Sequence, residues 1–207
     1  MNFYDADNDT DIQFRVTGTA LDVFAGQGLF IFSSSTLANL STHFDPGGAV
    51  TLHGNQGAEP EGSLKLSNAG TSTIITLGGT LTMAGSWFAS SSSIVNNGGF
   101  GVLFNASTTG KNIYPQVTTG ATGNFASTTF YGSGGGWTFQ SPATTTGNFT
   151  ITQGSVPAPS YLSIGGNYLN SGTFIHNSGT TSFNGASTQN ISGTLINSSA
   201  FNNVELR

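Results

Sequence analysis

The sequence predicts an all-β chain, and within that class a parallel β-solenoid in the form of a right-handed β-helix. Three observations point there. Gly (30), Thr (29), Ser (26) and Asn (19) supply half of the 207 residues, and charged residues are only 6%, which starves any helix of its usual formers and of a solvated charged face. Short alternating apolar stretches recur between clusters of turn residues. The chain also echoes itself over long distances, as stacked coils require and a sandwich does not. The rival fold is an antiparallel β-sandwich.

Taken along the chain, the elements read as follows. Asp5 to Asp11 holds four of the nine acids and reads as a polar turn or strand edge. Ile12-Gln13-Phe14-Arg15-Val16 and Leu29-Phe30-Ile31-Phe32 are apolar strands outside the clearer repeat, so residues 1–32 are expected to form an N-terminal cap or assembly segment and 33–207 the solenoid. Thr80-Leu81-Thr82-Met83, Gly147 to Thr152, Tyr161-Leu162-Ser163-Ile164 and Thr194-Leu195-Ile196 each alternate once per residue, the signature of a strand with one buried face. Asn96-Asn97-Gly98-Gly99, Gly134-Gly135-Gly136 and Asn177-Ser178-Gly179 are turn sequences, rich in residues that accept positive φ. Leu81, Val102, Phe104, Phe149, Ile151, Ile164, Phe174, Phe183, Ile191 and Leu195 are expected to point inward, over roughly eight to ten coils spaced about 4.8 Å apart.

The long-range echo pairs Gly85-Ser86-Trp87 with Gly172-Thr173-Phe174, and Phe104-Asn105-Ala106-Ser107-Thr108 with Phe183-Asn184-Gly185-Ala186-Ser187-Thr188. Asn112-Ile113 and Asn190-Ile191 close the two copies. This alignment predicts that Phe104 and Phe183 occupy equivalent places.

Composition narrows the function classes. Without cysteine there is no disulfide frame, thiolate metal site or cysteine nucleophile. Arg15, Lys65, Lys111 and Arg207 are scattered, which argues against nucleic acid and against anionic membrane surfaces. No apolar run approaches the roughly 20 residues of a membrane-spanning helix, so membrane insertion is not expected. Phe, Leu, Ile and Val still make up about a quarter of the chain, enough to build a lean core rather than a disordered coil.

Gly166-Asn167-Tyr168-Leu169-Asn170-Ser171-Gly172-Thr173-Phe174, then Ser182-Phe183-Asn184-Gly185, Gln189-Asn190-Ile191-Ser192-Gly193 and Phe201-Asn202-Asn203-Val204 follow one another in a recognisable order. The series resembles the Gly/Asn/Thr-rich tandem repeats of large bacterial β-solenoid surface proteins, adhesin-like in kind. The resemblance covers about 126–207 well and 77–125 loosely. It implies a β-helix displayed at the cell surface or outside the cell with a structural or adhesive role, and it carries no catalytic residues to transfer.

Candidate chemistry is sparse. Asp5, Asp7, Asp9 and Asp11 have the spacing of the first half of a calcium loop, but Thr10 stands where the turn glycine belongs and Val16 where the bidentate Glu belongs. Calcium is the only cofactor the sequence raises. His43 and His176 could be aligned by stacking, with turn roles the plainer reading. Glu59 and Glu61, followed by Lys65, are the one set that a polysaccharide-cleaving site could use; charged loop residues guarding a strand are the simpler explanation. Trp87 and Trp137, with Tyr131, Tyr161 and Tyr168, are candidates for stacking on sugar rings, against the default of filling the core.

These readings lead to a non-catalytic structural protein, a building block of a filament or surface stalk that self-associates head to tail into a homopolymer. Ile12, Phe14, Val16, Phe30 and Phe32 at one end and Phe201, Val204 and Leu206 at the other are the expected assembly residues, since solenoid ends expose unpaired strands. A carbohydrate-binding adhesin module, engaging cell-surface glycans, is the second reading, and a polysaccharide-active β-helix enzyme the third.

Overall fold

The computed structural model describes the strand segments 12–16, 20–24, 29–33, 41–46, 49–53, 64–68, 72–76 and 93–96, together with residues 80–89, 101–115 and 123–207. Strands recur in short coils. The first is β1 (Ile12–Val16), β2 (Ala20–Phe24) and β3 (Leu29–Ser33). The next are β4 (Ser41–Pro46), β5 (Ala49–His53), β6 (Leu64–Asn68), then β7 (Ser72–Thr76), β8 (Leu81–Met83), β9 (Trp87–Ala89), and β10 (Ser93–Asn96), β11 (Val102–Phe104), β12 (Lys111–Tyr114). From there the coils tighten. β13 (Gly123–Phe125) leads into the long β14 (Thr128–Phe139), β15 (Ala143–Thr145) into β16 (Phe149–Pro157), and β17 (Tyr161–Ile164) into β18 (Tyr168–Asn170) and β19 (Thr173–Ile175). β20 (Thr180–Phe183), β21 (Ile191–Gly193), a 3₁₀ turn at Asn197–Ser199 and β22 (Asn203–Leu206) complete the series.

Each coil lays its strands on those of the coil before, and every pairing among the described strands is parallel. This is a β-solenoid, and the parallel ladders exclude the antiparallel sandwich. The first face runs β1-β4-β7-β10 and, further along, β13-β15-β17-β20-β22. The second face is eight strands deep among the described residues, β2-β5-β8-β11-β14-β16-β18-β21, and the third runs β3-β6-β9-β12-β14-β16-β19. β14 and β16 serve two faces because they bend through the corner, with register shifts between Phe130 and Tyr131 and between Tyr131 and Gly136.

Alternation along each short strand fills the interior. Leu81, Val102, Phe104, Phe149, Ile151, Ile164, Phe174 and Phe183 are buried as expected, and Leu195 packs against the core from a partly buried position. Phe104 stacks on Phe130 with ring centres 5.0 Å apart, and Phe149 on Tyr168 at 6.0 Å with rings 2° from parallel. Each buried aromatic of this kind contributes about 1.5–3 kcal/mol. Ile191 departs from expectation: it is 38% exposed, because β21 is the last strand of its face among the described residues and no strand lies over it.

The long echo in the sequence is not the structural repeat. Phe104 lies on the second face in register with Phe130, whereas Phe183 lies on the first face in register with Ile164. Register partners such as Phe149 and Tyr168 are 19 residues apart, and Val102 and Thr128 are 26 apart. The repeating unit is thus a single coil. Similar strand-and-turn strings arise on different faces because any corner between two short strands makes the same demand for small and amide residues.

Candidate interaction surfaces

The outer corner beside the second face carries an asparagine ladder. Asn148, Asn167 and Asn190 each precede the strand of their coil. The Asn167 backbone N–H donates to Asn148 Oδ1 at 2.8 Å, and the Asn190 N–H donates to Asn167 Oδ1 at 2.8 Å. A second amide clamps the turn after β20: Gln189 Nε2 donates to the Ile164 and Gly166 carbonyls while its Oε1 accepts the Gly185 N–H. Backbone groups at two corners are satisfied by side chains rather than by water.

Trp87 and Trp137 do not reach the surface, which corrects their assignment as sugar-stacking residues. They are 2% and 0% exposed. A solenoid this poor in large aliphatic residues gains its interior area from aromatics, and strand alternation turns both indoles inward. Trp137 lies against a corner made of glycines: a Cβ on Gly132, Gly135 or Gly154 would run into its ring. Tyr168 is buried as well, and burial pushes its phenol above the usual tyrosine range, with the Asn170 side chain opposing the rise.

The aromatic side chains that do face out are their neighbours. Phe88 follows Trp87 and Tyr114 follows Ile113, so both fall on the outer side of the third face, where their rings stack at 5.2 Å and 20°. Tyr114 is 41% exposed and Tyr131, at the second corner, is 53% exposed. Gln140 Nε2 donates to Asn112 Oδ1 at 2.7 Å on the same surface.

Charged groups are few. Glu205 is the one carboxylate side chain between residues 80 and 207; it accepts from the Tyr161 hydroxyl at 3.2 Å and pairs with Arg207 at 3.0 Å. Lys111 is buried at a register position opposite Trp137, a placement that its sequence neighbours do not signal. His176 Nδ1 accepts the Ser178 N–H at 2.9 Å and closes a turn in which Asn177 and Ser178 have positive φ. His43 belongs to β4 on the first face, while His176 follows β19 on the third, so stacking does not align them.

The chain matches no family model, no curated protein and no solved structure.

Asp5, Asp7, Asp9 and Asp11, with Glu59 and Glu61, lie outside the described residues. Among the described residues, no three of His, Asp or Glu come together as a metal site, and no helix is long and apolar enough to cross a membrane. Of the expected assembly residues, Ile12, Phe14 and Val16 belong to β1, the outermost strand of its sheet among the described residues, and Phe30 and Phe32 to β3, likewise outermost among the described residues. At the opposite end Phe201 packs partly into the core. Val204 and Leu206 are 49% and 76% exposed. Their register partners are Thr181 and Phe183, both buried. Val204 and Leu206 thus continue the inward columns of the first face, with no strand beyond them among the described residues to cover them.

Proposed function

We propose that the chain is a non-catalytic structural module of a surface stalk or filament that joins end to end with further copies through its strand edges. The observation that carries this reading is the uncovered column at β22. Val204 and Leu206 occupy interior positions of the stack and yet are open to solvent, beside a strand edge that has no partner among the described residues. Such an edge is satisfied by another parallel strand. β1 and β3 present the corresponding edges at the opposite end, and contact between unlike ends propagates rather than closes. The scarcity of charge favours the same outcome, since little repulsion opposes stacking. The sole carboxylate of the C-terminal two thirds is held by Tyr161 and Arg207, an arrangement suited to a surface ion pair rather than to a pair of catalytic acids. Display outside the cell fits this role and the absence of cysteine.

The test is sedimentation velocity with negative-stain microscopy of the chain across a concentration series. Fibres or a ladder of end-to-end oligomers are expected, and Val204→Asp with Leu206→Asp should return the protein to monomers with an unchanged far-ultraviolet spectrum. Wild-type protein that stays monomeric at every concentration overturns the proposal.

A further inference from the structure

The two ends of the solenoid are stepped differently, and this decides how copies can join. β20 and β21 belong to one coil and β22 begins the next, so at this end the first face is one strand taller than the second among the described residues. At the other end β1 and β2 stand level, in one coil, each paired with its successor, β4 or β5. A copy that stacked its β1 on β22 would therefore hold its β2 two strand spacings, about 9.6 Å, from β21. Strands pair at one spacing only. Ile191 would stay uncovered, although it ends a register column that runs through Tyr168, Phe149 and Val102 and begins at Leu21. The next copy's Leu21 continues that column only if β22 and the incoming β1 share a single place, which one of them has to yield.

The two strands are alike. Val204-Glu205-Leu206-Arg207 repeats the pattern of Ile12-Gln13-Phe14-Arg15, with apolar residues alternating with Glu or Gln and then Arg. β22 is held at several points besides its pairing with β20. Phe201, just before it, packs on Tyr168, Phe174 and Phe183, and the Tyr161 hydroxyl donates to Glu205 from two coils away. β1 pairs with β4 alone among the described strands, in a terminal coil, where a stack opens at least cost.

We propose that β22 of one copy takes the place of β1 in the next by strand exchange. The resident β1 leaves β4, and β22 pairs with β4 in the register that β1 held, Val204 opposite Thr42 and Leu206 opposite Phe44, while the incoming β2 lies on β21. Complementation of a sheet by a strand from another chain needs no new fold on either side. The inference rests on the end-to-end reading above and adds the receiving strand, β4 of a second copy, and a control: β1 in its own place keeps a copy from being joined at that end.

The chain has no cysteine, so introduced thiols report on the exchange without background. Gln13→Cys with His43→Cys puts two thiols on register partners of β1 and β4, within the Cα separation that a disulfide spans. Oxidised, this full-length chain is expected to stay monomeric in sedimentation velocity with an unchanged far-ultraviolet spectrum, and reduction should restore assembly. In mixtures of singly substituted copies, Glu205→Cys should cross-link on oxidation to His43→Cys and not to Gln13→Cys. An oxidised double variant that assembles as the wild type does, or Glu205→Cys linking to Gln13→Cys instead, overturns the exchange and leaves the end-to-end reading standing. Failure of the Gln13→Cys, His43→Cys disulfide to form does the same, since β1 would then not lie on β4. Wild-type protein that never assembles overturns both.

Discussion

Asn167 is bound on both sides by asparagines of the adjoining coils: its N–H donates to Asn148 Oδ1, and its own Oδ1 accepts the Asn190 N–H, each at 2.8 Å. Three coils are thereby held in register by a side chain reaching for a backbone group that lies just before the strand ladder begins. The arrangement gives the abundance of asparagine a specific purpose. A serine or threonine at Asn167 is too short to span the coil spacing with the same geometry.

Replacing Asn167 with alanine removes one acceptor and leaves the Asn190 N–H to water. The expected cost is about 0.5–1.5 kcal/mol, read as a lower urea midpoint at unchanged slope. Ala at Asn184, an exposed position with no side-chain bond in this ladder, should be close to neutral.

The glycine corner around Trp137 predicts a sharper contrast. A Cβ at Gly135 would overlap the Ala106 carbonyl oxygen and the Trp137 ring, whereas one at Gly110 meets nothing within 4 Å. Gly135→Ala should cost about 3 kcal/mol, since a backbone carbonyl cannot move aside as a flexible side chain does. Gly110→Ala should cost only about 1–2 kcal/mol, arising from its φ of 85°. Thermal melts of the two variants check the order.

Position in the stack should govern the energetics of otherwise similar deletions. Phe149 is fully buried between Phe130 and Tyr168, and Phe149→Ala is expected to lose about 3–5 kcal/mol. Ile191, on the uncovered last strand of its face, should lose less than about 1 kcal/mol on the same change. Equal losses at the two sites would mean that β21 is covered in solution.

Tyr168 makes stability depend on alkaline pH. Burial raises its pKa in the folded chain, against a smaller opposing effect of the Asn170 side chain, and its buried hydroxyl makes no well-formed hydrogen bond among the described residues. Because the folded value lies above the unfolded one, the contribution is fully present below about pH 10 and is lost as pH rises past that point. Urea midpoints should therefore fall steadily as pH rises above about 10. Tyr168→Phe, which also removes an unsatisfied buried hydroxyl, should flatten the fall and leave stability near neutral pH equal or higher.

Much of the architecture is legible in the sequence because strand alternation and turn chemistry are local. Leu81, Phe104, Ile151 and Ile164 sit in short apolar-polar stretches whose inner face has only one reading. The surfaces are harder to read. In Trp87-Phe88 two aromatics are adjacent, and alternation says only that they face opposite ways, leaving which one enters the core to the register with Leu64 and Ile113. Sugar stacking is expected of the larger ring, and the register turns that ring inward. Phe104 and Phe183 share a string of small residues, but the number of residues spent in each corner decides which face a strand joins, and corner lengths leave no periodic signal. The end strand likewise gives no local sign of itself: Leu206 differs from Phe183 in exposure only because one has a strand above it.

The parallel, axis-stacked coils also fix how the molecule responds to being pulled. From Leu162 to its register partner Thr181 the chain travels 19 residues and yet advances along the axis by one strand spacing, about 4.8 Å. Stretched out, the same segment spans about 65 Å. Tension applied between the two ends strips coils from the ends, since each coil contacts only its neighbours, and every coil released lengthens the tether by about 60 Å. The protein therefore behaves as a stiff rod under small loads and as a reel under large ones, absorbing work in discrete, repeatable lengths while the remaining coils keep their shape.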